Sequence, residues 1–187
     1  MIKTITAPLQ ALAQSELRAH LNLLPTDSAH ADDTQISAMC LAAQAMADRY
    51  ANVSTFTQIL ELALDAFPDG PIKLDRGPVQ SITSVKYIDL NGTEQTLSNT
   101  LYALDSYSTP QWLTEAYDTE WPDTLGTVNA VKVRYMTGPS TLDPAARAAI
   151  LLIVGHLYAH RESVDLNNLA TLPMGAYALL DTLKVYA

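Results

Sequence analysis

His156 and His160 are the two residues whose type and spacing come nearest to a chemical site. They lie four positions apart in a stretch that predicts a helix, and this spacing can place two imidazoles on one metal ion. A zinc hydrolase of this kind needs a glutamate directly after the first histidine to activate the metal-bound water, but position 157 is a leucine. We therefore predict no metal site, and a zinc-dependent hydrolase remains only an alternative.

The other residue types that could do chemistry do not form a known arrangement. The seven glycines are isolated, so neither a phosphate-binding loop nor a dinucleotide fingerprint is present, and no Gly-x-Ser-x-Gly elbow presents a serine nucleophile. Cys40 lies in an apolar helical run and is expected to be a buried, inert thiol. Seven acids are scattered over predicted strand ends and turns, where aspartate commonly stabilises turns: Asp65, Asp69, Asp75, Asp89, Asp118, Glu120 and Asp123. We predict a protein that is not an enzyme, with no catalytic residue and no cofactor.

The charge and hydropathy of the chain limit its partners. Twenty acids against 11 bases give a net charge of −9, which argues against tight binding of nucleic acid through clustered Lys and Arg. If DNA is nearby, it is not expected to be held tightly. The N-terminus lacks the apolar segment of a signal peptide, and the longest apolar run, Ala148 to Val154, is far shorter than the ~20 residues that cross a bilayer. No membrane association is expected.

The helices that must position these residues are predicted from caps and apolar spacing. Ser15 is predicted to cap a short helix that ends near Pro25, and Asp32 with Gln35 resembles a capping box that opens a longer helix to about Tyr50. Asp143 followed by Pro144 predicts a helix to about His160. It is apolar on nearly every side, so another subunit is expected to cover part of it. A last helix is predicted after Pro173.

Between these helices the period of the apolar residues changes to that of strands. Asn91-Gly92 predicts a hairpin with a type I′ turn, which needs positive φ at both residues. Strands are predicted at 56–64, 72–74, 79–90, 93–97, 101–104, 111–115 and 130–136, with Gly138-Pro139 ending the last one. This order predicts an α+β fold: a helical frame, made of N-terminal helices and a long C-terminal helix pair, holds an inserted antiparallel β-sheet. We expect one domain over 1–187, with 56–137 as an inserted β subdomain.

Four stretches of the sequence resemble the head-tail connector (adaptor, or head-completion) family of tailed bacteriophages. The first is the Asp32-Asp33 helix leading to Gln58, Glu61 and Leu64-Asp65-x-Phe67-Pro68. The second, which is the most specific, is Ile72-x-Leu74 followed by Gly77-Pro78-Val79-x-Ser81-Ile82-x-Ser84-Val85-x-Tyr87-x-Asp89-x-Asn91-Gly92. The third is Trp121-Pro122 with Asn129-Ala130-Val131-x-Val133-x-Tyr135-x-x-Gly138. The fourth is Ala148-x-Ile150 and Gly155-His156-Leu157-Tyr158-x-x-Arg161-Glu162, closing with Leu172-Pro173-x-Gly175 and Leu179-Leu180.

The resemblance implies a structural protein of the virion, encoded by a phage or prophage and assembled in the host bacterial cytoplasm. It would form a ring of about twelve copies beneath the portal of the DNA-filled head, joining it to the tail or to a stopper protein of the neck. The resemblance further implies that the segment after Leu180 reaches the portal, and that the sheet insertion faces the outside or the next neck protein. Interface residues are hypothesised at Ile150, Tyr158, Arg161, Glu162, Leu180, Leu183 and Tyr186. The stretch from Gln111 to Glu120 departs from the family because it carries no base.

A monomeric binding module remains the main alternative. Trp112, Trp121 and most of the nine tyrosines fall in the predicted strand block. Aromatic residues there more often cover a sheet or form an interface, but they can also bind a peptide or a sugar. Such a module would stay monomeric at all concentrations.

Overall fold

The structure is a computed structural model, and it describes residues 1–160 and 174–185. These residues contain four helices and eight strands in two antiparallel sheets, which confirms the predicted α+β class. The chain divides into two compact units. The β unit comprises Met1–Pro8 and Phe56–Ser140, and the helical unit comprises Leu9–Thr55 and the described residues from Thr141 onward.

The β unit contains all eight strands of the described chain. They are β1 (Ile2–Thr6), β2 (Gln58–Leu64), β3 (Ile72–Leu74), β4 (Val79–Ile88), β5 (Glu94–Leu97), β6 (Tyr102–Asp105), β7 (Gln111–Glu115) and β8 (Val131–Thr137). A five-stranded sheet has the order β1-β2-β8-β4-β5, and a three-stranded sheet has the order β3-β7-β6. The strand β1 was not predicted, because within it only Ile2 is partly buried and its apolar pattern is too short to recognise.

Both sheets contribute to one apolar core, and alternation along β8 builds much of it. Val131, Val133 and Tyr135 are fully buried, whereas the residues between them are half-exposed. The Tyr135 hydroxyl satisfies its hydrogen bond inside the core by donating to the Asp75 carbonyl at 2.9 Å, and burial raises the pKa of this tyrosine. Leu74 and Leu113 of the three-stranded sheet belong to the same core. A polar group at this depth needs such a partner, because an unpaired buried hydroxyl is costly.

The hairpin between β4 and β5 is confirmed, but the predicted turn type is wrong. Gly92 has a φ of +80°, whereas Asn91 is not in the positive-φ region. The Gly92 N–H donates to the Asp89 carbonyl, and the Asp89 N–H donates to the Thr93 carbonyl, both at 2.9 Å, so the loop is longer than two residues. The Asp89 carboxylate accepts from the N–H groups of Asn91 and Thr93. This side chain stabilises the longer loop through local bonds, which the Asn-Gly pair alone does not predict.

The helical unit contains α1 (Gln14–His20), α2 (Asp33–Ala51), α3 (Pro144–Ala159) and α4 (Met174–Asp181). The helix α3 packs against both α2 and α4. Its residues Ala149, Ile150 and Ile153 are fully buried, while Leu152 is 38% exposed. Packing within the unit therefore covers most of α3.

One of the three predicted helix caps is confirmed. The Asp143 carboxylate accepts from the Ala145 and Ala146 N–H groups, and Pro144 occupies the first turn. The Ser15 cap is wrong, because α1 already begins at Gln14 and its N-cap residue is Ala13. The capping box is also wrong: Asp32 is the N-cap residue of α2 but makes no side-chain capping bond, and its carboxylate instead accepts from the Tyr158 hydroxyl.

The substitution Gly92→Ala is expected to destabilise the protein by about 1 kcal/mol, because a Cβ strains a residue at positive φ. Gly70→Ala is the matched control, since a Cβ there meets no atom within 4 Å. Urea unfolding of both variants measures the difference. Equal midpoints for the two variants would contradict the strained geometry at Gly92.

Candidate interaction surfaces

The outer face of the five-stranded sheet carries most of the basic residues of the β unit. Because residues along a strand alternate between faces, the burial of Val131, Val133 and Tyr135 turns Lys132 and Arg134 outward. The strand register places Arg134 opposite Glu61 on β2 and Lys132 opposite Lys86 on β4. Lys3 on β1 lies opposite Glu61 on its other side. The outer face therefore joins four bases from three strands.

Two carboxylates form ion pairs with three of these bases. Arg134 donates from Nε and Nη2 to the Glu61 Oε2 at 3.1 and 2.7 Å. Glu94 on β5 accepts from the Lys86 Nζ at 2.8 Å and from the Lys132 Nζ at 3.3 Å. Like charges directly opposite each other on a sheet repel, and Glu94 offsets this repulsion between the two lysines. Hydrogen bonds from Lys86 and then Lys132 hold the pKa of Glu94 below its usual value.

A second surface of the β unit is a cleft built from two copies of the same short pattern. Phe67-Pro68-Asp69 follows β2, and Trp121-Pro122-Asp123 follows β7. The rings of Phe67 and Trp121 stack with centroids 4.9 Å apart and an interplanar angle of 2°. The Trp121 indole N–H donates to the Gly70 carbonyl at 3.3 Å, which fixes the ring. The two aromatic-proline-aspartate segments thus form the walls of one cleft of about 570 Å³.

The cleft is acidic. Its lining includes four carboxylates and no base: Asp69, Glu115, Glu120 and Asp123. The Glu115 Oε1 accepts a hydrogen bond from the backbone N–H of Trp121 at 3.3 Å, which fixes this carboxylate on the cleft wall. Asp69, Glu120 and Asp123 are exposed. A concave acidic surface attracts cationic side chains through its charge.

In the helical unit, an ion pair orders the chain between α1 and α2. Arg18 donates from Nη2 and Nε to the two carboxylate oxygens of Asp33 at 2.5 and 2.8 Å, and from Nη1 to the Thr26 carbonyl. The His30 N–H donates to the same carboxylate at 2.9 Å. The hydrogen bond from Arg18, followed by that from His30, holds the pKa of Asp33 well below its usual range. A bidentate pair of this kind fixes geometry as well as charge.

Gln44 on α2 anchors the segment that precedes α1. Its side chain is 1% exposed. The Oε1 accepts from the Ala11 N–H at 3.1 Å, and the Nε2 donates to the Leu9 carbonyl at 3.3 Å. Both polar ends of this buried amide are therefore satisfied by the backbone of the same segment.

The residues hypothesised as an interface fall into three groups. Ile150 and Leu180 are at most 1% exposed and pack together in the core of the helical unit. Tyr158 and Leu183 are half-buried. Arg161, Glu162 and Tyr186 lie outside the described residues. Ile150 and Leu180 can help an interface only indirectly, by shaping the helices that carry it, and the interface assignment stays a prediction.

The two histidines lie together at the C-terminal end of α3, where His160 is the C-cap residue. The rings of His156 and His160 are 4.5 Å apart between centroids, and the His160 Nδ1 is 3.0 Å from the His156 carbonyl oxygen. Within residues 1–160 and 174–185, no group of three or more His, Cys, Asp or Glu side chains could hold a metal ion. Cys40 is buried, as predicted, and burial raises the pKa of its thiol to about 11. In the same part of the chain, no helix is long and apolar enough to span a membrane.

The basic sheet face and the acidic cleft were not predicted from the sequence. The alternation of Lys132 and Arg134 with Val131 and Val133 was a usable signal for an outward basic row. The repeated aromatic-proline-aspartate pattern was a signal for the cleft. The residues that complete each surface lie far away in the sequence. Only the structure shows the strand register and the ring stacking that bring them together.

These features define an α+β protein in which a two-sheet β unit accompanies a helical unit. Solved structures that share this fold over the whole chain include three from gene transfer agent (GTA) particles. A chain in the virion of a native gene transfer agent (GTA) particle matches with a TM-score of 0.80 and 22% identity, covering 100% of this chain and 96% of that chain. Chains in the neck of an empty GTA particle, computed with C6 symmetry, and of a native GTA particle, computed with C12 symmetry, match with TM-scores of 0.79 and 0.74 at 23% and 21% identity and the same coverage. No family model and no curated protein sequence matches the chain.

Asp33→Asn is expected to lower the unfolding midpoint at pH 7, because the neutral amide loses the charged pair with Arg18. The folded-state pKa of Asp33 lies below its unfolded value of about 4, so the stability from its charge is complete above about pH 5 and is lost as the pH falls toward the folded pKa. The difference between the variant and the wild type should therefore shrink from pH 5 to pH 2. Asp69→Asn, at an exposed acid, is the control. A pH-independent difference would show that the Arg18 pair is not its cause.

Gln44→Met keeps the side-chain volume but leaves the Ala11 N–H and the Leu9 carbonyl without this partner. We expect a loss of about 1–3 kcal/mol in the free energy of unfolding. Gln35→Met, at an exposed position of the same helix, controls for the change of residue type. Chemical denaturation measures both variants. An unchanged midpoint for Gln44→Met would mean that water replaces the amide.

Proposed function

We propose that this protein is a structural, non-enzymatic subunit of the neck of a tailed phage or a phage-like particle. The observation that carries the proposal is the match of the whole fold to chains in GTA neck structures, with a TM-score of 0.79 and coverage of 100% of this chain and 96% of that one. The order of the four sequence stretches that resemble head-tail connectors supports the same role independently.

Within the neck, we place this chain in a ring of about twelve copies that acts as an adaptor between the portal and the tail. The C6 and C12 symmetry of the GTA neck structures supports a ring. The portal protein on one side and a tail or stopper protein on the other are the partners that the sequence resemblance implies. Residues 56–137 would form a β insertion within one connector domain, in a protein that resides at the head-tail interface of the virion.

DNA would pass through this ring without specific binding. A chain with a net charge of −9 does not gain affinity from phosphate neutralisation, and weak attraction allows DNA to slide during ejection. The adaptor role thus needs geometric complementarity between subunits more than any affinity for DNA.

One observation favours the alternative of a monomeric binding module. Tyr107 and Tyr117 are 98% and 100% exposed in the loops that precede and follow β7, and tyrosines are enriched at recognition surfaces. A module that uses them for a peptide or a sugar would not assemble with a portal. A measurement of self-association and of portal binding therefore separates the two functions.

Light scattering of the purified protein, with and without the portal protein encoded in the same phage or prophage genome, tests the proposal. We expect either a ring with about twelve times the 20.3 kDa mass of one chain, or a monomer that becomes such a ring on the portal. A chain that stays monomeric and does not bind the portal would contradict the adaptor role and favour the binding module.

A further inference from the structure

The β unit separates its charges onto two surfaces. The outer face of the five-stranded sheet carries Lys3, Lys86, Lys132 and Arg134, which are four of the 11 bases of the chain, beside only two acids. The cleft between the two aromatic-proline-aspartate segments carries four carboxylates and no base. In a chain with a net charge of −9, the basic face is the exception.

These two surfaces lie on different sides of the β unit. The basic face is the side of the five-stranded sheet that points away from the shared core. The cleft opens beyond the end of β2 and the end of β7, where Phe67 and Trp121 stack. Its walls are held by the stacked rings and by the Trp121 hydrogen bond to Gly70.

We propose that the basic sheet face of one copy docks on the acidic cleft of the next copy, head to tail, around the ring. This contact rests on the proposed ring function and names the surfaces that would build it. A ring closes through heterologous contacts, which require two different and complementary patches on one chain. Copies of an acidic chain repel one another over most of their surface, so opposite charges at the contact select this orientation and raise the association rate.

A second copy of the chain fits the basic face better than a DNA backbone does. Glu61 and Glu94 lie within the face and bind Arg134, Lys86 and Lys132. A row of phosphates on this face would meet these two carboxylates as well as the bases. The carboxylates of a protein partner are not evenly spaced along one line. They can therefore contact the bases of the face without lying against Glu61 and Glu94.

Charge reversal that preserves the internal ion pairs tests the contact. The face variant combines Lys3→Glu, Lys86→Glu, Glu94→Lys and Lys132→Glu. It turns four bases and two acids into two bases and four acids, and position 94 keeps the opposite sign to positions 86 and 132. The cleft variant combines Asp69→Lys, Glu120→Lys and Asp123→Lys, all at exposed acids, and turns four acids into one acid and three bases. The control variant, Asp27→Lys with Ser28→Lys, adds two lysines to an exposed loop of the helical unit. Circular dichroism and thermal unfolding verify that each variant is folded.

Self-association is measured by sedimentation velocity, under the condition in which the wild type forms a ring, alone or on the portal protein. The face variant and the cleft variant should each associate at least about 100-fold more weakly than the wild type, because like charges then meet. An equimolar mixture of the two should form rings of alternating copies, and a chain that carries both changes should form rings by itself. The control variant should associate as the wild type does.

Rings that form equally well from both reversed variants would overturn this contact and leave the ring function intact. A wild-type chain that forms no ring with or without the portal overturns the ring function, and this contact with it. Fluorescence anisotropy with a labelled DNA duplex tests whether DNA binds the basic face instead of a second copy of the chain. Duplex binding that is lost in the face variant while its rings remain would assign the basic face to DNA and overturn the proposal.

Discussion

The register of β8 between β2 and β4 is the constraint on which both faces of the β unit depend. It sends Val131, Val133 and Tyr135 into the core and Lys132 and Arg134 to the outside. A slip of one residue would bury two cations and expose the central apolar residues of the sheet, so the register is strongly specified. The Tyr135 hydroxyl also favours this register, because its hydrogen bond to the Asp75 carbonyl forms only in this alignment. The same alignment creates the charged row on the outer face.

The helical unit is ordered by a different balance of forces. Its core is made largely of alanine, leucine and isoleucine side chains, such as Ala47, Leu17 and Ile153, which pack closely but do not by themselves specify where the connecting segments lie. Two polar anchors do that. The Arg18 pair with Asp33 holds the chain between α1 and α2, and Gln44 holds the segment before α1. Apolar burial supplies the stability, while these few directional bonds select one arrangement.

An acidic subunit that assembles with itself must overcome its own repulsion. A net charge of −9 is repeated in every copy, so a ring of such chains gathers a large charge of one sign. In the proposed ring, four bases on one sheet face and four carboxylates in the cleft would convert part of that repulsion into an attraction with a direction. The GTA neck structures share the fold at 23% and 21% identity.

The sequence by itself determined what depends on near neighbours along the chain. Apolar periodicity predicted the α+β order and most strands, Asp143-Pro144 predicted the start of α3, and Asn91-Gly92 predicted the hairpin. Local patterns failed where a distant residue competes for the same group, as when Tyr158 binds the Asp32 carboxylate that was expected to cap α2. Tertiary structure alone decided the pairing of Glu94 with two lysines, the stacking of Phe67 on Trp121 and the existence of β1. Each of these joins residues far apart in sequence, and their register is set by packing around the whole core, which no short window of sequence contains.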